Sequence, residues 1–487
     1  MEKKNPCIVA VPTPGLSHLI PLVEFAKRLL LLPHNKDLHV KLLIPTLGPP
    51  SSSMKSILNN SLPPNTSFTI LPQINVQDLT DAKSQQPSVQ MQQTVKHSLP
   101  FIHQELTSLI ISTNHNLVAI LFSLFSTDVL DLAKEFNLKS YLFYASGATL
   151  FSFCLHFPQL DQEADNSTSK SLLELTHPVH VPGCGVPFQV KDLPDPTLFD
   201  RSSEVYKSFL DVVSKYSLVD GVIVNTFTDL EPDAVRALQQ EEHNRRKSND
   251  PFVYPIGPII QTETSSEVNR LECLTWLDNQ SPKSVLYISF GSGGTVSQEQ
   301  LNEIAFGLEM SGHKFLWVVR APNSYGGSAY LNEQKDDPLQ YLPSGFVDRT
   351  KGQGLVVPSW APQIEILAHG STGGFLSHCG WNSTLESVSH GVPVIAWPLF
   401  AEQRMNAVLL KDVLRVAVRA EANEDDGIVR REEVCRVVKR IMEESEQVLE
   451  MRKRIKELSD DAAAALTENG SSMKALSSLS LKWQSTI

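Results

Sequence analysis

The sequence contains no C-x-x-C pair. Its six cysteines, Cys7, Cys154, Cys184, Cys273, Cys379 and Cys435, are scattered along 487 residues. That excludes the common zinc and redox spacings and fits a reduced compartment, so a cytoplasmic protein is expected. No apolar run approaches the length that spans a bilayer, and no membrane partner is expected. Basic residues are in deficit: the formal net charge is −12, which argues against nucleic acid or an anionic membrane as the main partner. An anionic ligand must then be held by local dipoles and donors rather than by a basic surface. No G-x-S-x-G is present, which removes the usual serine-hydrolase signature. Gly291-Ser292-Gly293-Gly294 follows a strand and precedes a helix. Ser297 stands near the place of the third glycine of a dinucleotide fingerprint, so a nicotinamide dehydrogenase has weak support.

The start, MEKKNPCIVAVPTPG, is basic, but its apolar run meets Pro12 after a handful of residues. It reads as a first strand, not a signal peptide. Without a secretion signal, the Asn-x-Ser/Thr triplets at Asn65, Asn166 and Asn382 read as chance. The length is too great for one core and suits two domains with a crossing terminal segment. Hydrophobic residues at 41% and charged ones at 20% are those of a soluble globular chain.

Along the chain, short apolar strands alternate with helical stretches. Strands are expected at Cys7–Val11, Leu38–Ile44, Ser67–Leu71, Val118–Phe122, Lys139–Tyr144 and Gly221–Asn225. Helices are expected at Ser17–Leu32, Val89–Thr113, Asp128–Phe136, Ala148–Phe157 and Glu204–Tyr216, with another starting at Leu230-Glu231-Pro232. This alternation is the pattern of a parallel sheet wrapped by helices. Leu160 to Arg201 is Pro-rich and irregular. The run from Pro251 to Pro258, PFVYPIGP, reads as an extended linker. Beyond it come Cys273–Leu277, a strand at Ser284–Phe290, a helix at Gln298–Met310 and a strand at Phe315–Arg320. Ala321–Gly345 reads as a surface loop, Arg430–Leu458 as helices with solvated faces, and Ser472–Trp483 as a final helix that returns to the first domain. The expected division is 1–250, a linker at 251–265, 266–470, and a terminal helix at 471–487.

The most informative stretch is WAPQIEILAHGSTGGFLSHCGWNSTLESVSHGVPVIAWPLFAEQ, Trp360 to Gln403. A strand, Gly374–Ser377, runs into His378-Cys379-Gly380-Trp381-Asn382-Ser383-Thr384 and then a helix. Gly380 is expected at the sharp turn, with Asn382, Ser383 and Thr384 as capping residues. A helix N-terminus after a glycine, with small polar side chains and a histidine, suits phosphate oxygens. Glu386, one helical turn beyond Ser383, can reach ribose hydroxyls, and Trp360 offers a flat face for a base. A second strand, Val392–Trp397, leads to Glu402 and Gln403, which suit the hydroxyls of a sugar ring. The order of parts reads as base, ribose, diphosphate, sugar. Any one piece is also what a buried strand–loop–helix unit shows; the whole string is not.

This string resembles the signature box of plant family-1 UDP-sugar glycosyltransferases over its full length. Landmarks at Pro14–Pro21, VNTF (Val224–Phe227), YPIGP (Tyr254–Pro258) and SFGS (Ser289–Ser292) extend the resemblance over essentially the whole chain. LDNQSPKSVLYISFGSGGT and VRREEV are most similar to the hydroquinone and monolignol type phenol glucosyltransferases. The resemblance implies a GT-B fold: two doubly wound, Rossmann-like α/β domains facing across a cleft. It implies an inverting transfer from UDP-glucose, a co-substrate rather than a cofactor, to a small phenol. No D-x-D occurs, so no metal-held diphosphate is expected. A monomer is expected.

The same resemblance assigns roles. Trp360 stacks on the uracil and Gln363 meets the ribose, with Ala361 and Trp381 as further donor-binding residues. Ser292, His378, Asn382 and Ser383 take phosphate oxygens, Glu386 takes the ribose hydroxyls, and Glu402 and Gln403 the glucosyl hydroxyls. Glutamate at 402 departs mildly from the more usual aspartate, and Gln403 is the glucose-type residue. His18, at the opening of a helix whose dipole disfavours imidazolium, matches the general base. The family's partner aspartate at the end of the fourth strand is replaced by Ser123, which can hydrogen-bond an imidazole but not offset its charge. Asp128, five residues on, is the nearest acid and matches an additional family residue rather than the relay acid. Leu124, Phe125 and Phe151 are candidate acceptor contacts, each equally readable as core. The rival of another class is a UDP-sugar or phenol binder that has lost turnover, motivated by Ser123.

Overall fold

The computed structural model describes residues 5–79, 86–111, 115–165, 170–244, 251–261, 270–322 and 337–484. Asn166, residues 245–250, residues 262–265 of the expected linker and most of the expected loop at 321–345 lie outside the described residues. The chain divides into two compact units. The first comprises Met1–Val190, Pro196–Ser265 and Ala464–Ile487; the second comprises Lys191–Asp195 and Ser266–Ala463.

Unit 1 carries a seven-stranded parallel sheet: β1 (Asn5–Val11), β2 (His39–Ile44), β3 (Thr66–Ile70), β4 (His115–Ser123), β5 (Lys139–Tyr144), β6 (Gly221–Val224) and β7 (Phe252–Pro255), in the order β3-β2-β1-β4-β5-β6-β7. The central strands read as unbroken apolar runs because helices cover both faces of the sheet; Cys7 to Val11 and Val118 to Phe122 are buried throughout. The helix Leu16–Leu30 follows β1 and buries Leu19, Leu22, Val23, Ala26 and Leu29, the three- and four-residue spacing of one helical face. Strand order reverses between β1 and β4, where Val11 lies opposite Phe122. Ligands of open parallel sheets bind at the carboxyl ends beside such a reversal.

The stretch expected as a linker is extended, as its prolines require, but its first residues are not free. Phe252–Pro255 pairs in parallel with β6 as an edge strand, a place that tolerates a proline. The helix Ala148–Asp165 continues beyond Phe157 through Pro158, so the irregular stretch begins later than expected. The final helix, Ser471–Gln484, belongs to unit 1. Its Trp483 is 1% exposed and meets Tyr141 edge-on at 5.3 Å between centroids. Ser480 donates to Asn35 Oδ1 (2.6 Å) and Lys482 to the Tyr254 hydroxyl (2.7 Å).

Unit 2 carries a six-stranded parallel sheet in the order β10-β9-β8-β11-β12-β13: β8 (Val285–Ser289), β9 (Lys314–Val319), β10 (Gly354–Pro358), β11 (Thr372–Ser377), β12 (Val394–Ala396) and β13 (Ala417–Arg419). The reversal lies between β8 and β11, with Ser289 opposite Ser377. Strands β10 and β13 had no counterpart in the sequence reading. Two parallel doubly wound sheets are the GT-B fold. Among the described residues, no helix is long and apolar enough to cross a membrane.

Candidate active site

In unit 2, β11 ends at Ser377, whose hydroxyl accepts from Cys379 N (3.2 Å). The left-handed residue of the turn is Cys379, at φ 65°. Gly380, expected there, has φ −62° and ψ 144° and occupies the N-cap of the helix Trp381–Ser389. Glycine is needed at 380 for space instead: a Cβ would stand 2.4 Å from His378 Nε2. Gly291, at the end of β8, has φ 75°, and a Cβ there would stand 2.5 Å from His378 Cε1. The imidazole thus fits into a slot between two glycines on the adjoining strands β8 and β11. Asn406 donates to Cys379 O (2.9 Å) and closes the turn from behind.

No side chain caps the helix that starts here. Asn382, Ser383 and Thr384, expected as caps, occupy its first turn. Its opening N–H groups therefore keep their positive potential for a ligand. Among the described residues, His378 Nδ1, Asn382 Oδ1 and Thr384 Oγ1 are buried without hydrogen-bond partners. Buried polar atoms of this kind are rare, and several at one turn mark a site completed by a ligand. Burial pulls the His378 pKa down to about 4, so the ring is neutral at pH 7. Ser292 is exposed on the turn after Gly291.

Ser383, Gln363 and Glu386 form one network. Gln363 Nε2 donates to Ser383 Oγ (2.9 Å) and Glu386 Oε2 (2.5 Å), and Tyr287 OH donates to Gln363 Oε1 (3.3 Å). Burial raises the Glu386 pKa to about 7, partly offset by the Gln363 bond. Trp360 follows Ser359, which is left-handed at φ 63°; it is 37% exposed, and the adjoining Ala361 is buried. Gln403 opens the helix Gln403–Val408, and its Oε1 accepts from Leu399 N (2.8 Å) and Phe400 N (3.0 Å). What Gln403 keeps for a ligand is its amide NH2. Glu402 precedes it, its pKa raised by burial and by the Asp195 carboxylate.

In unit 1, β1 leads through Thr13 to Gly15 (φ 119°) and the helix Leu16–Leu30, which places His18 in its first turn. Thr13 Oγ1 accepts from Phe125 N (3.1 Å) and shares a bond with Ser126 Oγ (3.2 Å), tying the loop after β1 to the loop after β4. The Phe125 ring stands edge-on to His18 with centroids 6.4 Å apart. Burial lowers the His18 pKa to about 4. Ser123 ends β4, and among the described residues neither its hydroxyl nor His18 Nδ1, both buried, has a hydrogen-bond partner. Asp128 pairs through Oδ1 with Lys215 Nζ at 2.7 Å rather than with the histidine, its Oδ2 has no partner among the described residues, and Lys215 also pairs with Asp211. Leu124 O accepts from Tyr216 OH (3.3 Å). Phe151 is fully buried against Tyr144 and Tyr216, a core position. Thr13, Tyr287 and Asn406 escaped the sequence reading; isolated polar residues inside apolar stretches carry no local signal.

A sequence profile described as "UDP-glucoronosyl and UDP-glucosyl transferase" matches residues 252–452. The hydroquinone glucosyltransferase of Rauvolfia serpentina is 47% identical over 485 residues, covering 99% of each chain. The chain belongs to the plant family-1 UDP-glycosyltransferases. It is a UDP-glucose-dependent glycosyltransferase. UDP-glycosyltransferase 72B1 of Arabidopsis thaliana is 46% identical over 486 residues, covering 99% of this chain and 97% of its own. Among solved structures, Phytolacca americana UGT2, complexed with UDP-2-fluoro-glucose and pterostilbene, superposes with a TM-score of 0.86 at 45% identity, covering 98% of this family-1 chain and all of its own.

Proposed function

We propose that the protein transfers glucose from UDP-glucose to the hydroxyl of a small phenol, with inversion, giving a β-glucoside. The observation that carries the acceptor class is the environment of His18: a neutral, weakly basic imidazole whose buried Nδ1 has no hydrogen-bond partner among the described residues. In the proposed step His18 Nε2 takes the phenol proton as the phenolic oxygen bonds to the anomeric carbon. The bond from that carbon to the β-phosphate oxygen breaks, and UDP leaves with the electron pair. The negative charge gathering on the diphosphate is stabilised by the uncapped helix at Trp381 and by the donors of His378, Asn382, Ser383 and Ser292. Trp360 and Ala361 bind the uracil, Gln363 and Glu386 the ribose, and Glu402 with the Gln403 amide the glucose. Leu124 and Phe125 would flank the acceptor.

A phenol, with a pKa near 10 as in tyrosine, gives up its proton to a weak base far more readily than an alkyl alcohol does. A relative whose name specifies hydroquinone, and a solved relative holding pterostilbene, support this choice. We read the protein as cytoplasmic, because its scattered cysteines fit a reduced compartment. The unpartnered His18 also favours a second reading, a UDP-sugar binder with weak turnover. Incubation with UDP-glucose and hydroquinone separates the two: we expect a glucoside whose anomeric proton shows β coupling by NMR, and little product from His18→Ala. UDP-glucose binding without any product would leave the binder; an α-glucoside would refute direct displacement.

A further inference from the structure

The Pro-rich stretch read from sequence as irregular contains Lys191–Asp195, which belongs to unit 2 although the chain on either side of it belongs to unit 1. Its two acids engage unit 2 side chains. Asp192 is buried and accepts from Arg419 Nη1 at the end of β13 (2.8 Å). Asp195 engages the turn before Glu402. Its Oδ2 accepts from Ala401 N (2.7 Å), its own N–H donates to Ala401 O (3.0 Å), and its Oδ1 pairs with Arg404 Nη1. Both backbone groups of Ala401 are therefore taken by one residue, 206 positions earlier. Ala401 is left-handed at φ 56°, a conformation a residue with a Cβ keeps only where its surroundings hold it. On the other side of the same turn, the Gln403 carbonyl holds Leu399 and Phe400.

We propose that Asp195 is a positioning residue for the sugar: by clamping Ala401 and Arg404 it sets the direction in which Glu402 and Gln403 meet the hydroxyls of the transferred hexose, and so contributes to selection of glucose over its epimers. This rests on the reading of Glu402 and Gln403 as sugar contacts. The clamp acts on the turn and not on the phosphate slot, whose support comes from Asn406, Ser377 and the two glycines. Lost positioning therefore weakens recognition of the hexose and spares UDP. Epimers differ by the direction of one hydroxyl, so discrimination between them depends on donors held in a fixed orientation.

The test uses the full-length enzyme with hydroquinone as acceptor and UDP-glucose and UDP-galactose as competing donors. Asp195→Ala should lower the ratio of kcat/KM for UDP-glucose over UDP-galactose by about tenfold, the scale of one displaced contact. It should raise KM for UDP-glucose while the UDP dissociation constant from calorimetry stays within about twofold. The ratio is taken on one sample and does not depend on the fraction folded. Asp195→Asn, which keeps an oxygen for Ala401 N–H but loses the ion pair, should fall between, and it serves if the alanine variant cannot be purified. An unchanged ratio and KM would overturn the proposal, as would UDP affinity falling in step with the KM. Gln403→Ala, measured in parallel, separates the two layers. If it shifts the ratio and Asp195→Ala does not, the clamp alone fails. If neither shifts it, the sugar-contact reading fails and the clamp with it. A shift in Asp195→Ala without one in Gln403→Ala would overturn the route through the turn.

Discussion

Burial gives the residues of the site their chemistry, and it acts on acid and base in opposite directions. It lowers His18 and His378 to about 4 and raises Glu386 to about 7, because each environment disfavours the charged form. In the proposed donor site the ribose hydroxyls donate to the Glu386 carboxylate, so the donor selects its ionised form. With a free-enzyme pKa near 7, UDP-glucose affinity should rise about tenfold from pH 6 to pH 8, one proton being displaced on binding. Calorimetry across that range should show the rise, and Glu386→Gln should flatten it; affinity that falls with pH would mean the protonated carboxyl is the binding form. Ser123 poses the complementary question. Ser123→Asp would place a carboxylate where a buried hydroxyl now lacks a partner, supporting the His18 imidazolium. Loss of the acid of a hydrolase triad costs about 10⁴; phenols need less help, so we expect a gain of roughly 10–10³ in kcat, larger as acceptor acidity falls. Asp128→Asn, which removes one of the two ion pairs of Lys215, should leave the profile over phenols of graded pKa unchanged. A flat profile in Ser123→Asp would remove the weak-base account of acceptor choice.

Elements were legible in the sequence where burial on two faces writes an unbroken apolar run, as in β1 and β4, and where helical spacing repeats, as in Leu16–Leu30. They were illegible where pairing is decided by a neighbour. Ala417–Arg419 is too short to show a period, and Phe252–Pro255 reads as a linker until β6 supplies hydrogen bonds. The turn from β11 into the helix at Trp381 shows both sides. Its composition announced a sharp turn into a helix N-terminus, but glycine was credited with the backbone strain that Cys379 bears, because a packing demand leaves no mark on the sequence. The two accounts make opposite forecasts. If space is what matters at Gly380, then Gly380→Ala should displace His378 and weaken UDP-glucose binding tenfold or more, overpacking of this kind costing about 1–3 kcal/mol. Cys379→Gly, at a positive φ that glycine adopts freely, should bind normally and melt no lower than about a degree or two from the parent. Tight UDP-glucose binding in Gly380→Ala, with loss in Cys379→Gly, would reverse the assignment.

At the scale of the whole molecule, chain order and unit membership diverge. Unit 1 is assembled from three segments and unit 2 from two. The closing helix of the chain was legible because an amphipathic stretch with a tryptophan must bury it somewhere. The five residues Lys191–Asp195 were not, because two acids in a Pro-rich stretch look like any loop until their arginine partners are located. Unit 1 is consequently complete only when the last residues of the chain are in place. Trp483, 1% exposed against Tyr141, is the largest side chain that the helix Ser471–Gln484 contributes to that core. Trp483→Ala should cost about 3–5 kcal/mol, the range for truncating a buried aromatic, and the loss should fall on unit 1. Glucoside formation should then fail at a lower temperature than in the parent. Calorimetric UDP affinity at low temperature should be unchanged, because Ser292, Trp360, His378 and Glu386 all belong to unit 2. A parent-like temperature profile would show that the helix adds nothing to the fold it closes. Early loss of UDP binding together with turnover would show that the donor residues depend on the terminal helix as much as His18 does.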